Sequence, residues 1–279
     1  MSEATAERAS VWKFGAPVAG FQWPVEGAKA NVLLQHGYGE YVGRYVRDYH
    51  QLIPALNAAG YSVYGFDAEG HGRTPGPRGA TDMKRAVSHH LVAREALEAD
   101  SVPLFLFGHS LGGLITAASA AYRQEGVKGV VLSAPALKIE LNPVLKTIAG
   151  LVASIAPAAR LTPPLDADAI SRDAALVAAY RDDPMVIKQP PAARLGATAL
   201  KVLERAKAQF SGWQVPVLFI HGDADLLTPI EGIREFFGAI SASDKTLEVF
   251  EGGYHELLND TEKTRALETV LSWLNARTG

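Results

Sequence analysis

An apolar run that breaks into a Gly-x-Ser-x-Gly turn limits what this chain of 279 residues can fold into. Leu104-Phe105-Leu106-Phe107 shows no polar alternation and suits a strand buried on both faces. Gly108-His109-Ser110-Leu111-Gly112 follows, and a helical pattern begins at Leu114-Ile115-Thr116-Ala117-Ala118. Strand, tight turn and helix, in that order, are the context in which this motif acts as a nucleophile elbow. The glycines at its ends let neighbouring backbone approach closely. Such a turn holds the Ser110 hydroxyl at the carboxyl edge of a sheet, facing the positive end of the next helix.

The flanking sequence supplies that sheet. Residues 18–23, 30–36, 61–66, 129–133, 215–220 and 247–250 read as strands. Helical patterns fall between them over 45–59, with Leu52, Ile53 and Leu56 on one face and Gly60 as its stop, and from a Thr81 or Asp82 cap to residue 99. Two more cover 230–240 and 261–275, and residues 1–10 read as disordered. This alternation predicts a mostly parallel central sheet with helices on both faces. From Ala134-Pro135-Ala136 to about residue 210 no strand pattern occurs, only helical composition broken by prolines. The expected organisation is an α/β core over 11–134, a helical cap insertion over 135–210, and the second part of the core over 211–279. Within the cap, Val144, Leu145, Ile148, Leu151, Val152 and Ile155 recur at helical spacing. One reading buries that face against the core. The other makes it a lid, with Leu145, Ile148 and Val152 lining an apolar substrate pocket or meeting a membrane or micelle.

Composition narrows the function. The net charge is −3 with 20% charged residues, which leaves no electrostatic footprint for nucleic acid. No cysteine is present, so thiolate catalysis and disulfides are excluded. The polar start, Met-Ser-Glu-Ala-Thr-Ala-Glu-Arg, has no apolar core of a signal peptide, and no apolar run could span a bilayer. The expectation is a soluble, cytoplasmic protein, with peripheral membrane contact through the cap.

A serine hydroxyl needs a base, and the base needs an acid to hold it. On an elbow-bearing sheet the chain order is Ser, then Asp or Glu, then His. His255 is the sole histidine after His221, and it sits in a loop just beyond a strand. The acid lies in His221-Gly222-Asp223-Ala224-Asp225, where spacing leaves Asp223 and Asp225 as competitors. The spacing of this segment matches neither zinc motifs nor a calcium loop. Two backbone N–H groups should meet the oxyanion. Leu111, after the nucleophile, supplies one; Tyr38, in the Gly-rich loop His36-Gly37-Tyr38-Gly39-Glu40, supplies the other. His36 and His71 fit no position in that order and read as structural.

Several segments together are similar to one family. His36-Gly37-Tyr38-Gly39-Glu40 through Gly43-Arg44-Tyr45 resembles H-G-x-G-E-x-x-G-R-Y, and 67–79 resembles D-x-x-G-H-G-x-S-x-G-x-R-G. Gly108-His109-Ser110-Leu111-Gly112-Gly113, Ser133-Ala134-Pro135-Ala136, Ser171-Arg172-Asp173, His221-Gly222-Asp223-Ala224-Asp225 and Tyr254-His255-Glu256-Leu257-Leu258-Asn259-Asp260 extend the likeness over nearly the whole chain. The chain resembles the monoacylglycerol lipase and lysophospholipase-like serine hydrolases of the α/β-hydrolase fold. The resemblance implies Ser110, Asp225 and His255 as the triad, Tyr38 and Leu111 as oxyanion donors, and a helical cap over an apolar acyl pocket. It implies a lipid monoester as substrate and no metal or cofactor. Lysophospholipase or general carboxylesterase activity is the alternative, and a binding protein on a hydrolase scaffold is the non-enzyme alternative. The chain departs from the pattern at Tyr41, where the family usually has His, at Thr74, where it has Ser, and at Tyr38, where a smaller residue is common.

Overall fold

The computed structural model describes residues 9–99, 102–139 and 143–278, the side chains of 143–147 and 149 excepted. Eight strands form one sheet in the order β1-β2-β4-β3-β5-β6-β7-β8. Along the chain they are β1 (Ser10–Val11), β2 (Gly20–Trp23), β3 (Ala30–Gln35), β4 (Tyr61–Phe66), β5 (Leu104–His109), β6 (Val127–Ser133), β7 (Val217–Gly222) and β8 (Lys245–Phe250). β1–β2 and β2–β4 pair antiparallel, and every pairing from β4 to β8 is parallel. β3, β5 and β7 are buried along their whole length, as their apolar runs require.

Residues of alternating parity feed two cores. Leu33, Leu104 and Leu106 join one with Leu114, Trp213 and Phe236. Val32, Leu34, Phe105 and Phe107 join the other with Tyr45, Leu56 and Trp273. This is the two-residue period of a strand covered on both sides. The helices that cover it begin with α1 (Arg44–Arg47), α2 (Leu52–Ala58) and α3 (Met83–Glu98). Asp82 caps α3 by accepting from the N–H groups of Lys84 and Arg85. α4 (Leu111–Tyr122) follows the elbow and is buried along nearly its whole length, which its Gly, Ala and Ser side chains permit.

The continuous helix expected over 45–59 is broken. Tyr49, His50 and Gln51 take φ values of 52°, 51° and 53°, between α1 and α2. Two bonds draw Tyr49 inward: its N–H donates to Asn259 Oδ1, and its hydroxyl donates to Glu40 Oε2 at 2.8 Å. The apolar period of 52–58 was legible; a long-range polar anchor ahead of it was not. The expected disorder at 1–10 falls largely outside the described residues, and Ser10 itself lies in β1.

Between β6 and β7 the described chain is helical, with α5 (Pro143–Ile155), α6 (Ala174–Asp182) and α7 (Ala193–Lys207). α7 packs on α3 and α4, and α5 packs on α7. Arg160 and Ala192 form an isolated antiparallel bridge within this segment. α8 (Ile230–Ala239) and α9 (Lys263–Asn275) complete the layers.

Gly112 fixes how closely the elbow lies on β3. A β-carbon there would stand 2.2 Å from the Gln35 carbonyl oxygen and 2.4 Å from that of His36. Backbone cannot yield as a flexible side chain can. Gly112→Ala should lower the melting temperature by roughly 5–10 °C. Gly196, inside α7, has open space around it. Gly196→Ala should instead raise stability by about 0.5–1 kcal/mol. Thermal unfolding of both variants checks the contrast.

Candidate active site

Every parallel strand delivers its carboxyl end to the same edge of the sheet, and the loops there hold the predicted site residues. Ser110 follows β5 with φ 53° and ψ −120°, a strained backbone for a residue with a side chain. Its N–H donates to the Ser133 carbonyl at 2.9 Å, and its carbonyl accepts from Ala136 N–H at 3.0 Å. Ala134, with φ 42°, takes the second unusual backbone conformation beside it.

The acid loop follows β7. Asp225 Oδ1 accepts from the N–H groups of Leu227 (2.8 Å) and Thr228 (3.0 Å). Its Oδ2 accepts from the Thr228 hydroxyl at 2.6 Å and lies 2.8 Å from His255 Nδ1. Asp223, by contrast, is exposed and accepts from Gly252 N–H at 2.6 Å, at the neck of the next loop. Of the two aspartates that spacing could not separate, Asp225 is the one on His255. Burial opposes the Asp225 charge, but the His255 charge and the bonds from His255 and Thr228 outweigh it and hold the carboxyl well below the usual range. Burial also opposes a charge on His255, and the Asp225 carboxylate reverses the balance, lifting the imidazole above its ordinary value.

His109, which directly precedes Ser110 in the chain, has its ring centroid 4.9 Å from that of His255. The Ser110 hydroxyl makes no hydrogen bond to a described residue. Nucleophile–base bonds are often long before substrate compresses them. Burial, and then the charge of His255, holds His109 neutral with its pKa lowered to about 3.

The loop after β3 lies against the nucleophile: a β-carbon on Gly37 would stand 3.1 Å from Ser110 Cβ. The Tyr38 N–H has no partner among the described residues. Leu111 opens α4, so its N–H has no carbonyl one turn back to meet. Leu111 thus adjoins Ser110 in the chain, and Tyr38 directly follows the glycine packed on it. His36 braces this loop, with Nε2 accepting from Ala68 N–H at 3.0 Å and Nδ1 donating to the Gly37 carbonyl at 2.8 Å. Asp67 ties in the next loop by accepting from Val42 N–H (2.9 Å) and Arg73 N–H (2.8 Å). Thr74 keeps the hydroxyl function of the serine it replaces, donating to the Asp67 carbonyl at 2.6 Å and accepting from Ala19 N–H at 2.8 Å.

A buried ionic cluster lies beneath. Glu40 accepts from Gly37 N–H (2.6 Å), the Tyr45 and Tyr49 hydroxyls (2.9 and 2.8 Å) and Arg44 Nη1 (3.1 Å). Arg44 also reaches Glu256 at 3.3 Å and Asp48 at 3.2 Å, and Asn259 donates to Glu256 at 2.7 Å. Burial opposes charge on both glutamates. It prevails at Glu40, whose pKa is raised, whereas Arg44 keeps Glu256 below the usual range. Spacing in the sequence could not reveal this cluster, because Arg44 and Glu256 are 212 residues apart.

The helical segment between β6 and β7 is fastened at the histidine loop. Arg172 binds Asp260 through Nε at 3.1 and 2.9 Å and through its backbone N–H at 2.8 Å. The Ser171 hydroxyl donates to the Asn259 carbonyl at 2.8 Å, and Glu256 N–H donates to Ile170 O at 2.8 Å. Among the expected cap residues, Ile148 is 44% exposed and Val152 is half-buried, while the side chain of Leu145 lies outside the described set.

A family model described as serine aminopeptidase, S33 matches residues 26–262. A monoacylglycerol lipase from Mycolicibacterium smegmatis is 35% identical over 248 residues, covering 87% of each chain. The crystal structure of Paleococcus ferrophilus monoacylglycerol lipase superposes with a TM-score of 0.85 at 34% identity, covering 94% of this chain and all of that one. A soluble variant of the Saccharomyces cerevisiae monoglyceride lipase, in complex with a substrate analogue, gives 0.81 at 26% identity over 98% of this chain and 95% of that one. A core of this topology, matched over most of its length by that model and by these enzymes, belongs to the serine aminopeptidase S33 family and, with the monoacylglycerol lipases, to the serine hydrolases of the α/β-hydrolase fold.

Proposed function

We propose that this protein is a monoacylglycerol lipase, cleaving a single-chain glycerol ester to fatty acid and glycerol. His255 takes the Ser110 proton as the hydroxyl attacks the ester carbonyl. The N–H groups of Tyr38 and Leu111 receive the oxyanion. His255 then protonates the departing glycerol oxygen, and water repeats the sequence on the acyl-enzyme. Asp225 fixes the imidazole tautomer, keeping the proton on Nδ1 and the acceptor on Nε2, and stabilises the imidazolium. The observation that carries this reading is the 2.8 Å Asp225–His255 bond at the sheet edge that also bears the strained Ser110.

The cap supplies apolar surface, with Leu151 63% and Ile155 76% exposed on α5. That face suits brief contact with a membrane or micelle holding the substrate. Hydrolysis of 1-monooleoylglycerol, measured beside dioleoyl- and trioleoylglycerol, lysophosphatidylcholine and a short aryl ester, tests the reading. The monoacylglycerol should be preferred; a preference for lysophosphatidylcholine would reassign the substrate.

Asp225→Asn should lower kcat by a factor on the order of 10³–10⁴, and Asp223→Asn by less than about threefold. Since only neutral His255 can accept the proton, the wild-type rate should fall as pH falls through a midpoint above the ~6.5 of a free imidazole. The Asn variant should shift that midpoint down. Steady-state kinetics over pH 5–9 reads both effects. Replacing Leu151 and Ile155 together by Ser should weaken hydrolysis of micellar long-chain substrate severalfold while sparing a soluble short ester. Equal loss on the two would count against contact through α5.

A further inference from the structure

The segment from Asp183 to Ala192, between α6 and α7, lies as a strap across the loop that carries the second oxyanion donor. Ile187 N–H donates to the Gly39 carbonyl at 2.7 Å. The Tyr38 hydroxyl donates to the Gln189 carbonyl at 2.8 Å. Arg78 donates to the Met185 carbonyl at 2.5 Å, Ala192 N–H to the Gly79 carbonyl at 3.1 Å, and the Tyr41 hydroxyl to Asp183 at 2.8 Å. Arg160 closes the arrangement from the cap side. It donates to the Pro190 and Arg78 carbonyls and reaches the Tyr38 oxygen at 3.5 Å.

This pattern divides the anchoring of three successive residues. Gly37 is held from the core, through Glu40 at 2.6 Å. Tyr38 and Gly39 are held from the strap. The backbone here has little stiffness of its own, because Tyr38 sits between two glycines and Gly39 takes a φ of 80°. An oxyanion donor must nonetheless be held within about half an ångström of its productive position. The phenol side chain has room for its task only because residue 79 is glycine: a β-carbon there would stand 2.6 Å from the Tyr38 hydroxyl.

We propose that the Tyr38 side chain is a positioning residue that couples the cap to the oxyanion hole: the strap grips the phenol, and the phenol aims the N–H of its own backbone. The inference rests on the reading of Tyr38 as an oxyanion donor. It gives the departure from the smaller residue common at this position a function. Closure of the strap completes the site, and release of the strap slackens it. Burial, opposed by Arg160, raises the phenol pKa to about 12, so it remains a hydrogen-bond donor at neutral pH.

Tyr38→Phe tests this, since it keeps the ring and removes only the grip. With 1-monooleoylglycerol and with a short aryl ester alike, kcat should fall about three- to tenfold, the value of one hydrogen bond. KM should stay within about twofold, because the ground-state carbonyl depends little on the donor's aim. Affinity for a boronic acid transition-state analogue should fall by the same factor as kcat/KM. Arg160→Met, which removes the tie to the Pro190 carbonyl and the contact with the Tyr38 oxygen, should lower kcat in the same direction. Gln189→Ala keeps the accepting carbonyl and should leave kcat unchanged. Unchanged kcat and analogue affinity in Tyr38→Phe would overturn the coupling while leaving the esterase reading intact. So would a rise in KM alone, or a loss of activity matched by a loss of folded protein in thermal unfolding. Failure of the wild-type protein to hydrolyse any ester would instead sink the reading on which it rests.

Discussion

Close approach of backbone at the elbow sets the geometry of everything around it. Gly112 lies so near the carbonyls of Gln35 and His36 that no side chain fits, and α4 is thereby pressed onto the end of β3. That contact forces the sharp reversal in which Ser110 takes a positive φ. The strain at Ser110 is held in place by ordinary hydrogen bonds to Ser133 and Ala136 on the neighbouring strand end. A parallel sheet then brings the acid and histidine loops to the same rim without further instruction, because β5, β6, β7 and β8 all point one way.

The rim carries charge in a layered way. Asp225 and His255 form one pair, buried and coupled by a short bond. Glu40, Arg44 and Glu256 form a second group beneath it, with Glu256 directly following His255 in the chain. Burying ionic groups is costly unless each is matched and hydrogen-bonded, and removing one partner leaves the other stranded. The hydroxyls of Tyr45 and Tyr49 and the amide of Asn259 complete that matching. The lower cluster therefore serves as a rigid floor for two loops: it holds Gly37 at one end and the histidine loop at the other.

What could be read from the sequence was local or strongly patterned. Buried strands announced themselves by unbroken apolar runs, the α3 cap by Asp82, and the elbow by its glycines. The choice between Asp223 and Asp225 needed either the likeness to known hydrolases or the third dimension, since both follow the same strand. Three features were hidden for a common reason. The left-handed stretch at Tyr49–Gln51, the Arg44–Glu256 pair and the strap on Tyr38 all depend on partners more than 100 residues away, and no period or spacing encodes such a partner. Ser171-Arg172-Asp173 was visible as a motif, but its tie to the histidine loop emerges only from the Arg172–Asp260 pair.

In the proposed reaction one strained serine, activated by the Asp225–His255 pair, carries the covalent step. Reaction with a fluorophosphonate, followed by peptide mapping by mass spectrometry, tests it directly. A single adduct on Ser110 is expected, formed faster as pH rises through the titration of His255. An adduct on another residue, or undiminished ester hydrolysis by protein labelled at Ser110, would rule it out.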